Sequence, residues 1–242
     1  MKQEVDQAKV DNIVLRAEND LAAAVSVDNV NTIAAQAIKD IDAVKDTAEE
    51  NEQKDLAKVK DDSKQSIDQA ATAAKQRIKD AYNTLSADEQ AATKTDYDKA
   101  IQTITDAQTA AQAAIEKATD KDAVSKAVGD ADQAFTQAET EAKLAFAKVA
   151  AKDAVDKVAS TVKGNLSKDA DKKQVDVIST QADTAIDKAT DITTVNQLRD
   201  KAISDINAVK ATAEAVDKAT LEQAKDNGKT NVNGAAADAK NG

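Results

Sequence analysis

The side chains that most often carry chemistry are scarce in this sequence. It contains no His and no Cys, and its only arginines are Arg16, Arg77 and Arg199. The commonest general base, the commonest soft nucleophile and the usual bidentate anion clamp are therefore absent or thin on the ground. What remains is carboxylate. The pairs Asp61-Asp62 and Glu49-Glu50 are the arrangements one would test first as metal ligands. Calcium loops gather oxygen ligands on a tight turn containing glycine, and no such turn surrounds either pair, so both read as solvated helix faces. Tyr82 and Tyr97 flank the sharpest turn signal in the chain. Their spacing fits plugging the end of a helical bundle better than an aromatic patch for a ligand. The chain is not expected to be an enzyme: no catalytic, cofactor-binding or metal residues are assigned, and no cofactor is called for.

Composition defines the elements that would carry such groups. Of 242 residues 41% are hydrophobic, but Ala dominates, with two Tyr, two Phe and no Trp, so cores must be thin. There is no Pro and there are only five Gly, three of which, Gly228, Gly234 and Gly242, lie near the C-terminus. Long stretches thus hold nothing that stops a helix, and the fold class is all-α. With 44 acidic against 33 basic residues the net charge is −11. That balance argues against nucleic acid, which needs a basic stripe on phosphates, and against an anionic membrane surface. No small-molecule partner is indicated. No apolar run approaches the roughly 20 residues of a bilayer span, and Met1-Lys2-Gln3-Glu4 is not followed by a signal-peptide apolar region. If the parent protein is secreted, this chain is an internal piece of it.

The chain repeats itself. Leu21 to Glu50 aligns without a gap on Ile186 to Ala215 at an offset of 165, with 13 of 30 positions identical, among them Val30/Val195, Ile38/Ile203, Ile41/Ile206 and Val44/Val209. A weaker copy starts at Ile115, where Ala-Thr-Asp at 118–120 matches 189–191. Copies therefore begin at 21, 115 and 186 and are unequal in length. Within each, apolar residues recur at spacings of three and four, which places them on one helical face. Val10, Ile13, Ala17, Leu21 and Ala24 mark a first arm, and Ser26 or Asp28 caps the next helix. An unbroken stripe from Val30 to Leu85 predicts one helix of about 58 residues. Ser86-Ala-Asp-Glu89 is a capping box opening the helix after it. Thr119-Asp120 ends that helix and caps a third long one over about 122–166. In it, Gly129 marks a close helix contact or a soft spot, and Gly164 fits a left-handed residue past the helix end. Ser167 or Asp169 caps a short helix, and Asp191 opens the last one, which frays after about Lys225.

A helix of that length cannot be buried by one compact core, so its halves must pack on different neighbours. The expected architecture is an elongated tandem array of spectrin-like three-helix bundles, with long helices shared between adjacent units. The frame is 1–58 as a partial first repeat, 59–143 as the second, 144–225 as the third, and 226–242 as a disordered tail rich in Asn, Gly and Ala. Summing helix rises gives a rod of about 120 Å, and a radius of gyration of about 35 Å against roughly 18 Å for a compact domain of this length.

The opening Leu85-Ser-Ala-Asp-Glu89, the period of roughly 70 residues, and the runs Ala114-Ile115-Glu-Lys-Ala118-Thr119 to Val124 and Ala185-Ile186-Asp-Lys-Ala189-Thr190 to Val195 resemble the DUF1542 repeats of Gram-positive surface proteins. The longer first spacing, from 21 to 115, and the missing acidic opening at Ser167-Lys-Asp-Ala170 depart from that pattern. The resemblance implies a helical stalk in a cell-wall-anchored adhesin or biofilm protein, outside the cell. Two alternatives stand beside a structural spacer. One is an adhesive module for a host matrix protein or for another copy of itself, for which the sequence shows no apolar patch outside the stripe; the other is an intracellular coiled-coil scaffold.

Overall fold

The fold is described from a computed structural model covering residues 4–241. Its first three residues and Gly242, the ends of the expected first repeat and tail, lie outside the described residues. Six helices hold 93% of the described residues and there is no strand among them. They are α1 (Glu4–Ala22), α2 (Val27–Asn83), α3 (Ala87–Lys117), α4 (Lys121–Asn165), α5 (Asp169–Lys188) and α6 (Ile192–Asn241). At 57 residues α2 matches the uninterrupted helix that the apolar stripe predicts.

The helix starts show why the breaks fall where they do. The free amides of a first turn need acceptors, and short polar side chains supply them. Ser26 Oγ accepts from the Asn29 N–H at 3.1 Å, Asp120 Oδ1 from Ala123 at 2.8 Å, and Asp191 Oδ1 from Thr194 at 2.8 Å. These three caps occupy the same position in the three repeat copies, and Ser26 rather than Asp28 does the capping. At the α3 start the capping box is reciprocal. The Ser86 N–H donates to Glu89 Oε2 at 2.7 Å, and the Glu89 N–H donates to Ser86 Oγ at 3.4 Å.

Two terminus expectations are corrected. Neither Ser167 nor Asp169 caps α5: Lys168 stands at the N-cap with φ −96° and ψ 133° and makes no side-chain cap bond. The Ser167 hydroxyl is taken instead by Asp217 Oδ2 at 3.0 Å. Gly164 lies inside α4, and no glycine among the described residues has a positive φ.

The chain divides into two compact units, Met1–Ala71 with Asp106–Gln133, and Thr72–Thr105 with Ala134–Gly242. These boundaries fall inside helices, as do those of the repeat frame drawn from the sequence at 58/59, 143/144 and 225/226, although the positions differ. In the first unit α2 and α3 run antiparallel, since Lys60 reaches Glu116 while Asp68 accepts from Gln108 and Gln112 at 2.7 and 2.6 Å. Ile67, Ile115 and Val124 are almost wholly buried there. In the second unit one continuous core draws on three helices: Val155, Ala159, Val162 and Leu166 of α4, Val175 and Ala182 of α5, and Ala202, Ile206, Val209 and Ala213 of α6. Burying such a stripe, at about 0.8 kcal/mol per CH₂, is what holds helices together whose intrinsic stability is marginal.

The stretch of α6 over 226–241, where composition suggests disorder, continues the helix. Every described side chain from Glu214 to Lys240 is exposed; within 226–241 Lys229 pairs with Asp226 at 3.3 Å and the Thr230 hydroxyl donates to the Asp226 carbonyl at 2.9 Å, both inside the helix.

Candidate functional site

The carboxylate pairs singled out for chemistry do not converge with other ligands. Glu49 and Glu50 lie on an exposed face of α2, each within 4 Å of a lysine one turn away: Lys45 at 3.8 Å and Lys54 at 3.6 Å. Asp61 and Asp62 are exposed on the same helix. Among the described residues no group of three or more His, Cys, Asp or Glu is placed to hold a metal ion. No described helix is long and apolar enough to cross a membrane.

Tyr82 and Tyr97 do come together. Their ring centroids are 4.5 Å apart, and Tyr82 also lies 5.7 Å from Phe146. The Tyr82 hydroxyl donates to the Gln90 carbonyl at 2.8 Å, and the Gln90 side chain donates back to the carbonyls of Tyr82 at 3.3 Å and Leu85 at 3.0 Å. Both phenols are thus half-buried plugs under the α2–α3 turn, with the polar end of Tyr82 already engaged.

Sequence reasoning missed a recurring lysine pair. Lys60 donates to the Glu116 carbonyl at 2.9 Å and Lys64 pairs with the Glu116 carboxylate. In the second unit Lys148 donates to the Asp187 carbonyl at 2.8 Å and Lys152 pairs with its carboxylate. Glu116 and Asp187 are one position from the ends of α3 and α5, at equivalent places in the repeat. Each pair therefore satisfies an orphan carbonyl of a helix C-terminus and sets positive charge against its dipole. The Lys64 hydrogen bond holds the Glu116 carboxyl below its ordinary value. The signal was available as two lysines four apart, but only the fold shows what they reach.

Two carboxylates are perturbed by position. Burial would push Glu139 up, but hydrogen bonds from Lys143 at 2.7 Å and Arg77 at 2.8 Å outweigh it and hold the carboxyl low. Asp183 goes the other way: burial raises it, Asp156 and Asp187 add to the rise, and Lys152 opposes it. Its Oδ1 is buried without a hydrogen-bond partner.

The structure also uncovers apolar surface that the sequence does not reveal. Val14, Leu15, Val25, Val27, Val30 and Ile38 are exposed on α1, the α1–α2 turn and the start of α2. Between these helices lies an open cleft of about 350 Å³, lined by Ile13, Ala17, Ile33 and Ala37 with Arg16 and Asp40 at its edge. Of the first-arm stripe Val10, Ile13, Ala17, Leu21 and Ala24, only Ile13 is fully buried.

No family model matches this chain, and neither a curated protein nor a solved structure is significantly similar to it.

Proposed function

We propose that the chain is a non-catalytic structural repeat region, an extended helical spacer in a bacterial cell-surface protein of the kind its repeats resemble. The observation that carries this reading is the pair of uninterrupted helices α2 and α4, of 57 and 45 residues, each contributing to both compact units. Helices used in this way transmit packing along the chain instead of enclosing a pocket. The side-chain inventory supports the same reading: no His or Cys is present, and the carboxylates are dispersed or matched with lysines on solvated faces. Small-angle scattering on the monomer tests it. A radius of gyration near 35 Å is expected, and a value of about 18 Å, that of a compact domain of this length, would remove the argument for a spacer.

A further inference from the structure

The lysine clamp belongs to a longer seam, and the chain carries that seam twice. Lys60, Lys64 and Asp68 of α2 correspond to Lys148, Lys152 and Asp156 of α4 at an offset of 88. Gln108, Gln112 and Glu116 of α3 correspond to Ser179, Asp183 and Asp187 of α5 at an offset of 71. The core beneath keeps the same register, for Ile67 and Val155 are both buried, as are Ile115 and Ile186. Each helix contributes every fourth residue, so the six side chains of a copy line one antiparallel contact.

The two seams are satisfied alike except at one position. In the first unit Asp68 Oδ1 accepts from Gln108 at 2.7 Å and from Gln112 at 2.6 Å. In the second, Asp156 Oδ1 accepts from the Ser179 hydroxyl at 2.9 Å, so Ser179 takes the part of Gln108. The part of Gln112 falls to Asp183, and an ionised carboxylate has no proton to give. It meets Asp156 as a like charge, and its Oδ1 stays buried without a partner. The charged groups that act on Asp183 are Lys152 and Asp156 from α4 and Asp187 from its own helix; among the described residues α6 supplies none. Lys152 is committed to the Asp187 carboxylate, and Arg199 of α6 is held by Asn196 and Asp200 at 3.0 and 2.8 Å. What this rung lacks is one hydrogen-bond donor.

We propose that Asp183 is an acid-operated latch between α4 and α5, which takes one proton from solvent and donates it in a hydrogen bond to the Asp156 carboxylate, as Gln112 donates to Asp68. Protonation forms a single O–H bond and breaks no covalent bond, and the pair falls from two negative charges to one. Burial first, and then the Asp156 charge, raise Asp183 above its ordinary value. The folded chain therefore binds this proton more tightly than the unfolded chain does. The added stability is full below the ordinary carboxylate value and is lost as pH rises through the raised one. At the matching rung of the first unit Gln112 donates at every pH, so only the α4–α5 seam changes. The latch rests on that contact alone and does not depend on the spacer reading.

The test follows side-chain carboxyl resonances by NMR against pH, together with native-state hydrogen exchange of the α5 amides, on the whole chain. In the wild type Asp183 should titrate above the ordinary carboxylate range. Protection factors in α5 should rise at least about tenfold as pH falls through that midpoint, the worth of one charge-assisted hydrogen bond. Asp183→Gln should show the high protection at every pH and no step. Gln112→Asp should install a step in α3 that the wild type lacks. Asp156→Asn should move the Asp183 midpoint down, because a like charge is replaced by an amide that donates. An Asp183 that titrates in the ordinary range would overturn the latch, as would an α5 step that survives Asp183→Gln or a Gln112→Asp chain without one in α3. An unmoved midpoint in Asp156→Asn would overturn it too, by assigning the whole rise to burial. So would calcium chloride at neutral pH protecting α5 in the wild type and not in Asp183→Gln, since the buried oxygen would then be a cation ligand.

Discussion

Truncating Ile206 and Ile41 to Ala in parallel separates the contribution of the third helix from that of sequence. The two residues are identical and occupy the same repeat position, but Ile206 is fully buried in the α4–α5–α6 core while Ile41 faces the open hairpin. Ile→Ala removes three carbons, at about 0.8 kcal/mol each when fully buried. The cavity left among Val155, Val175 and Val209 adds to that, so Ile206→Ala should cost about 3–4 kcal/mol. At Ile41 water already reaches part of the side chain and little closed space is left behind, so about 1 kcal/mol is expected. With two units in one chain a single global unfolding energy is poorly defined. Native-state hydrogen exchange of the amides around each site is the better readout, since it reports opening locally. Asp205→Ala serves as the control: its pair with Lys201 at 2.7 Å is exposed, and its loss should cost no more than about 0.5 kcal/mol. Equal losses at 206 and 41 would refute that contribution of the third helix.

Three further outcomes rest on named contacts. Ser86→Ala should destabilise the α2–α3 hairpin by about 1 kcal/mol in urea titrations, while Glu89→Gln should retain most of the box because an amide oxygen still accepts the Ser86 N–H. Gly129→Ala should stabilise the first unit by about 0.5–1 kcal/mol in the same assay, because a Cβ there meets nothing within 4 Å and the position is exposed helix. Asp183 has a folded pKa raised above its ordinary value, so its ionised form opposes folding and the native chain should gain stability as pH falls through that raised value. Asp183→Asn should be more stable than wild type at pH 7 in thermal melts, with the difference shrinking in acid.

Helix existence and helix starts were legible because each rests on local chemistry. Ser86 with Glu89, Asp120 and Asp191 cap as their spacing indicates, since a first turn needs an acceptor wherever it sits. Cap prediction failed at Ser167 because a distant carboxylate, Asp217, competes for the same hydroxyl, and nothing local announces that. Burial failed in a parallel way. Val30 and Val195 carry the same pattern, and only the presence of α4 beside one of them decides which is covered. Periodicity tells which face of a helix is apolar; it does not tell whether a partner is there.

The unequal copies differ in both of their helices, and for the shorter helix of each, α3 or α5, geometry shows how length changes without loss of the core. α3 has 31 residues where α5 has 20. The extra 11 advance the helix by about 1,100°, which is three full turns and only about 20° more. Ile115 and Ile186 therefore both face inward with no exposed surface, although their distances from the preceding helix start differ by three turns. Phe135 and Ile206 likewise occupy one repeat position and are both buried, at 3% and 0%. An insertion of 7 residues would leave the stripe equally close in phase, whereas 5 or 9 would rotate it by about 140° and 180° and turn the far end of the helix, with Ile115, away from the core. Length can thus vary in steps of two or three turns at constant packing, a freedom suited to a spacer and of no use to a site that must hold reacting groups at fixed separation.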